Sequence, residues 1–139
     1  MKNRFGEKYL PKRATKGSAG YDLVLPKGFS MKYGESRLIE TGLIMEPGDI
    51  PEGYFGLIAP RSSYGMKYGL MLNNTVAIID SDYTQEIMIK VKCTDPSVEI
   101  VRFKEGDRFC QMILVPFGTI PSEVPPEEER DGGLGSTGN

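Results

Sequence analysis

Apolar residues in this chain recur with a period of two more often than 3.6. At 87–93, Ile87, Ile89, Val91 and Cys93 share one face while Lys90 and Lys92 take the other, which predicts a half-buried strand. Just upstream, Val76, Ala77, Ile78 and Ile79 form a short apolar run, followed by the polar bend Asp80-Ser81-Asp82-Tyr83-Thr84-Gln85. The two runs predict a hairpin with acidic groups at its bend. A further strand is predicted at 108–115, stopped by Pro116, which has no N–H for a ladder. Others are predicted at 21–25, 35–45 and 54–59. Turn signals such as Pro26-Lys27-Gly28, Pro47-Gly48-Asp49 and Glu105-Gly106-Asp107 separate them, a spacing that predicts an all-β sandwich or barrel. The best helical stretch follows Arg61-Ser62-Ser63, and Gly65 and Gly69 limit it to one or two turns.

Composition supports this pattern and divides the chain. Glycine (17) and proline (10) make up roughly a fifth of the 139 residues, against an average of about 12%. After Pro121 the chain runs through Pro125-Pro126, three glutamates and a glycine-rich end with one aliphatic residue in its last ten. Such a segment buries too little apolar surface to offset the entropy of ordering it. It is expected to be mobile alone, either as a plain tail or as an arm whose amides wrap an anion.

The absence of histidine excludes Ser-His-Asp and Cys-His nucleophiles, His-ligated metals and imidazole proton shuttles, leaving acid–base chemistry to other groups. With 17 basic and 19 acidic residues, the net charge of −2 disfavours the broad attraction to nucleic acid that DNA-coating proteins rely on, but not one bound phosphate group. Cys93 and Cys110 are too few for a disulfide scaffold and read as reduced, semi-buried thiols. The N-terminus lacks a signal-type apolar region, and no apolar run approaches the ~20 residues of a membrane helix. The expectation is a soluble, membrane-free protein of a reducing compartment: cytoplasmic, or in a host cytoplasm if viral.

Three places carry candidate chemistry. Pro60-Arg61-Ser62-Ser63 brings a guanidinium, two hydroxyls and turn amides together after an apolar strand, a donor set for phosphate; a capping serine beside a solvated arginine is the alternative. Asp80 follows three apolar residues at a strand end, where its carboxylate is expected to be partly desolvated, unless it is an ordinary turn aspartate. Gln111 shares a predicted strand face with Phe109, Ile113 and Val115, so its amide needs partners in the protein or on a ligand.

Five segments, in order, resemble the five motifs of the trimeric dUTP pyrophosphatase (dUTPase) family: Ala19-Gly20-Tyr21-Asp22-Leu23; Pro60-Arg61-Ser62-Ser63; Asn74 through Tyr83; Gly106-Asp107-Arg108-Phe109-Cys110-Gln111; and Gly132 through Gly138. They span 19–138. The resemblance implies a jelly-roll-like β-barrel over 1–120 and a flexible C-terminal arm over 121–139, assembled as a homotrimer with shared active sites. It implies hydrolysis of dUTP to dUMP and pyrophosphate with Mg²⁺ on the triphosphate, which limits uracil in DNA and supplies dUMP for thymidylate synthesis.

By the same resemblance, Asp80 is the general base and Asp22 supports the metal through water. Arg61, Ser62, Ser63 and Gln111 lie along the phosphates. Asn74 and the backbone of Ile78, Ile79 and Met88 follow the uracil edge, and Tyr83 packs on deoxyribose. From the arm, Arg130 and Ser136 close on the outer phosphates, and Leu134 with Gly135 lies over the base. The chain departs from the family pattern at Ser63 and Ala77, where glycine is usual, at Thr84-Gln85, and at Leu134, where an aromatic usually stacks on uracil. Tyr64 and Tyr68 are candidates to replace that aromatic by their proximity to the phosphate motif. Two alternatives share the fold: a dCTP deaminase-like enzyme and a non-catalytic, nucleotide-sensing trimer.

Overall fold

The computed structural model describes residues 1–132. Ten strands and one short helix follow one another: β1 (Lys2–Asn3), β2 (Tyr21–Val24), β3 (Phe29–Lys32), β4 (Ser36–Ile44), β5 (Tyr54–Pro60), α1 (Ser62–Tyr68), β6 (Leu70–Leu72), β7 (Ala77–Ile79), β8 (Glu86–Cys93), β9 (Ile100–Phe103) and β10 (Arg108–Pro116). A single 3₁₀ turn lies at Glu7–Tyr9. The strands form two four-stranded sheets, ordered β1-β4-β8-β6 and β2-β10-β5-β7, and a β3-β9 pair, with all pairings antiparallel. This is the expected all-β, jelly-roll-like architecture.

The core comes from the period-two pattern. Ile87, Ile89, Val91 and Cys93 are all buried, and Lys90 and Lys92 are exposed. Leu23, Leu43, Ile58, Leu72, Val101 and Phe109 join them in one apolar cluster between the sheets. Burying a side chain of this size is worth about 1.5–3 kcal/mol, and antiparallel sheets with one face inward gain it at every second residue. Buried Thr41 interrupts β4, but its hydroxyl donates to the Ile87 carbonyl (2.6 Å) and accepts from the Leu43 N–H (3.1 Å). That pairing lies where the β4–β8 register shifts, between Glu40 and Ile44.

The four strands not expected from the sequence, β1, β3, β6 and β9, have two to four residues each. The expected hairpin at 76–93 is not a hairpin. β7 pairs with β5 (Gly56 opposite Ile79, Leu57 opposite Ile78), whereas β8 is flanked by β4 and β6. Both edges of β8 are therefore taken, and the polar bend at 80–85 carries the chain from one sheet to the other. β10 differs in detail too. Its register with β2 shifts between Arg108 and Cys110, so Phe109 and Cys110 are both buried and Phe109 leaves the face of Gln111.

The helix has the expected two turns. Gly69 stops it with φ 59° and donates its N–H to the Gly65 carbonyl (3.0 Å). A Cβ there would lie 2.7 Å from the Asp95 nitrogen, so space and conformation both require glycine. Cys93 and Cys110 are free, and both are fully buried rather than semi-buried as expected. Among the described residues no helix is long and apolar enough to cross a membrane.

Candidate active site

Strand β5 organises the candidate residues into two groups, one at each end. At its C-terminal end the chain passes Pro60 and enters α1 at Arg61, whose N–H donates to the Phe109 carbonyl of β10 (3.0 Å). Gln111 of β10 stands between Ala59 of β5 and Asp22 of β2 in the ladder, so three strands converge there. Asp22 is buried, and each of its oxygens takes a guanidinium: Arg61 Nε at 3.1 Å on Oδ1 and Arg108 Nη1 at 3.2 Å on Oδ2. One carboxylate between two cations leaves positive charge over and fixes both arginines in direction. A cavity of about 240 Å³ is lined by Gly20, Asp22, Arg61, Ser62 and Gln111. Gly20 makes room for the Gln111 side chain, since a Cβ at that position would collide with its amide oxygen.

Arg61 also borders a second cavity of about 390 Å³ with Ser63, Lys67, Asp107 and Arg108. Tyr64 and Tyr68 line it but are held by the fold. Tyr64 stacks on Phe103 with centroids 5.2 Å apart and lies 5.9 Å from Tyr68. Burial pushes the Tyr64 hydroxyl up to about 12, with Asp107 adding to the effect. Both rings are thus partly engaged in packing.

The other group lies at the N-terminal end of β5. Ile79 pairs with Gly56, and Asp80 follows at once, sharing a cavity of about 240 Å³ with Tyr54, Phe55, Asp82, Phe117 and Arg130. Asp80 was expected to be partly desolvated, yet its side chain is 55% exposed in the single chain. The Ile79 side chain, one residue earlier, takes the core position, and the strand end leaves the carboxylate at the rim. Arg130 binds both acids of the bend, through Nη2 to Asp80 Oδ2 and through Nε to Asp82 Oδ1 at 2.8 Å. Its guanidinium lies 5.6 Å over the Tyr83 ring, whose hydroxyl donates to the Glu86 carbonyl (3.0 Å). The hydrogen bond to Asp82 leads the causes that raise the Arg130 pKa above its ordinary value.

Arg130 was expected beside phosphate-directed residues, and within one chain it lies at the opposite end of β5. Two carboxylates and an aromatic face are the complementary groups within its reach. Asn74 is exposed in the turn before β7, next to Thr75 at φ 69°, Ile78 is exposed, and Met88 stands opposite Glu40 on β8. Leu134, Gly135 and Ser136 lie outside the described residues. From Phe55 to Arg61 the strand rises about 20 Å, at ~3.4 Å per residue. The two groups therefore cannot touch one reacting phosphorus from a single chain, since reacting atoms must come within about 3–3.5 Å.

Arg108, Lys67, Asp82 and the aromatic trio Tyr54, Phe55 and Phe117 were not singled out in the sequence. Arg108 and Asp82 lie inside two of the quoted motifs, but what identifies them is a partner distant in sequence: Asp22 for one, Arg130 for the other. Among the described residues no three His, Cys, Asp or Glu side chains group to hold a metal. With both oxygens of Asp22 engaged by arginines, the donor set suits Mg²⁺ that arrives on phosphate with most of its own waters, rather than one caged by protein.

Comparison with known proteins identifies the family. The dUTPase family model matches residues 7–138. A deoxyuridine 5'-triphosphate nucleotidohydrolase of Idiomarina loihiensis is 37% identical, covering 99% of this chain and 93% of that protein. The dUTPase of Streptococcus mutans superposes with a TM-score of 0.68 at 31% identity, over 84% of this chain and 91% of that one. A mutant dUTPase from phage phi11 of S. aureus has a TM-score of 0.70 at 25% identity, over 89% and 94%; its structure is described as revealing the coordination of a structural Mg(II) ion. With a family model and a relative that each cover nearly its whole length, the chain belongs to the dUTPase family.

Proposed function

We propose that the chain hydrolyses dUTP to dUMP and pyrophosphate in active sites shared between the subunits of a homotrimer. The observation that carries this reading is the buried Asp22 carboxylate, which holds Arg61 beside Ser62 and Gln111 as a fixed set of phosphate donors. Asp80, about 20 Å away along β5, reaches such a set only on a second chain. Sharing the site resolves that separation, and it brings a carboxylate exposed in one chain against a neighbour.

In this reading Asp80 accepts a proton from water as the water oxygen bonds to the α-phosphorus. The bond from that phosphorus to the bridging oxygen breaks, and pyrophosphate leaves with the electron pair. Arg61, Ser62, Ser63 and Gln111 hold the phosphates in line and stabilise charge on the transferred group. Mg²⁺ carried on the triphosphate would supply charge neutralisation there, and Asp22 would support it through water. Asn74 and the backbone of Ile78, Ile79 and Met88 select uracil, and Tyr83 turns its ring to the deoxyribose. Main-chain donors and acceptors in fixed order leave a wrong base with unpaired groups, a strong form of rejection.

The arm, 121–139, closes over bound substrate, with Leu134, Gly135 and Ser136 near the nucleotide. Arg130 exchanges Asp80 and Asp82 for phosphate as the arm closes. Two free buried thiols suit a reducing cytoplasm, and a net charge of −2 suits a nucleotide ligand better than a nucleic-acid strand.

Pyrophosphate release from dUTP, dTTP, dCTP and UTP with Mg²⁺ tests the proposal. Turnover of dUTP alone is expected. Ammonia release from dCTP would replace this reading with a deaminase, and no turnover of any of the four would leave only a binding module.

A further inference from the structure

Glu86, the first residue of β8, is where the N-terminal segment, the irregular part of β4 and the acidic bend meet. Its side chain is 21% exposed, and Oε2 takes Arg4 Nε at 2.7 Å. Its Oε1 accepts the N–H of buried Gly42 at 2.9 Å. Its main-chain carbonyl accepts the Tyr83 hydroxyl at 3.0 Å. Gly42 lies in the β4 register shift, where Thr41, Gly42 and Leu43 stand opposite Ile87 alone. Such a bulge takes an N–H out of the ladder, and here a carboxylate satisfies it. Gly42 has φ 71°, and a Cβ there would collide with the Phe5 ring and the Asn3 side-chain oxygen. The Arg4 N–H donates to the Gly42 carbonyl at 3.0 Å, so Arg4 grips the bulge with its main chain and Glu86 with its side chain.

We infer that Glu86, supported by Arg4, is a positioning residue for sugar selection: it fixes the start of β8 against the β4 bulge and thereby holds the Tyr83 ring where deoxyribose fits and ribose does not. The inference rests on the dUTPase reading, in which Tyr83 turns its ring to the sugar. A phenol anchored only through its backbone swings on its side-chain torsions; with its hydroxyl tied to the Glu86 carbonyl, the ring is held at both ends. Excluding a 2′-hydroxyl by contact needs such a fixed wall, because a ring free to yield by the width of one oxygen admits the larger sugar. The Arg130 guanidinium over the same ring leaves it when the arm closes on phosphate, whereas the tie to Glu86 does not involve the arm and persists.

Calorimetric binding of dUMP and of UMP, measured beside dUTP turnover for the wild type, Glu86→Ala, Glu86→Gln and Arg4→Met, tests the assignment. In Glu86→Ala the preference for dUMP over UMP is expected to fall about ten-fold, mostly by a gain in UMP binding, with kcat for dUTP little changed. Glu86→Gln keeps an acceptor for Gly42 and should recover part of the preference. Arg4→Met should lose about two- to three-fold. An unchanged preference in Glu86→Ala would overturn the inference; if that variant does not fold, the same result in Arg4→Met would. So would an equal weakening of both nucleotides, the outcome of a merely structural pair. A wild type that prefers dUMP to UMP yet does not hydrolyse dUTP would sink the proposed function and leave the positioning role standing.

Discussion

The two ends of β5 carry opposite charge arrangements. At one end a single buried carboxylate, Asp22, holds two arginines; at the other a single arginine, Arg130, is shared by two exposed carboxylates. The first arrangement is anchored in β2, β10 and the start of α1, and it is present before any ligand arrives. The second depends on a residue of the C-terminal segment, so it can be undone without disturbing a sheet. One end is thus held by the sheets and the other can exchange partners, the two properties that the proposed closing active site would use.

The largest effect should come from separating the two ends genetically. Asp80→Asn is expected to lower dUTP turnover by ~10²-fold or more, and Arg61→Gln to be comparably impaired. Refolding the two inactive variants together in equal amounts should restore about a quarter of wild-type activity, because that share of sites pairs an intact Arg61 with an intact Asp80 from a neighbour. Activity that stays at the level of the variants would mean that each chain builds its own site.

Asp22→Asn probes the rigid end. It leaves two guanidiniums facing each other without an anion, and urea unfolding should show a loss of about 2 kcal/mol. That is below the 3–5 of a fully buried pair, because the Arg61 and Arg108 side chains are 31% and 51% exposed. Asp82→Asn at the exposed end should cost far less, and equal losses would erase the contrast between the ends.

The smallest effect concerns pH. Burial raises the Tyr64 hydroxyl from its ordinary 10 to about 12, so the folded chain binds more protons than the unfolded chain between those values. Stability should therefore fall as pH rises from 10 to 12, and Tyr64→Phe should flatten part of that fall while leaving neutral pH unaffected. Burial also raises Tyr83 and Cys110, so some alkaline loss should persist in the variant.

Much of this was legible along the chain, and the exceptions share a cause. β8 was readable because eight residues carry four inward positions, and α1 because Arg61 precedes it and Gly69 ends it. The strands β1, β3, β6 and β9, of two to four residues each, emerged only with their partners. The hairpin expected at 76–93 followed from nearness in sequence, but edge availability decided the pairing: β5 offered β7 a ladder while β6 occupied β8. Asp80 was found from its place after an apolar run, yet its exposure depends on where β7 stops.

Residue type and order alone therefore settled the absence of histidine, the all-β class and the five motifs, because these depend on local pattern, and singled out Asp80 as the candidate base. Packing decided the rest. Contacts across 86 residues join Arg108 to Asp22, and contacts across 50 join Arg130 to Asp80. No local pattern encodes such a distance, and only the antiparallel ladders place the Asp22–Arg61 pair and Asp80 at opposite ends of one strand.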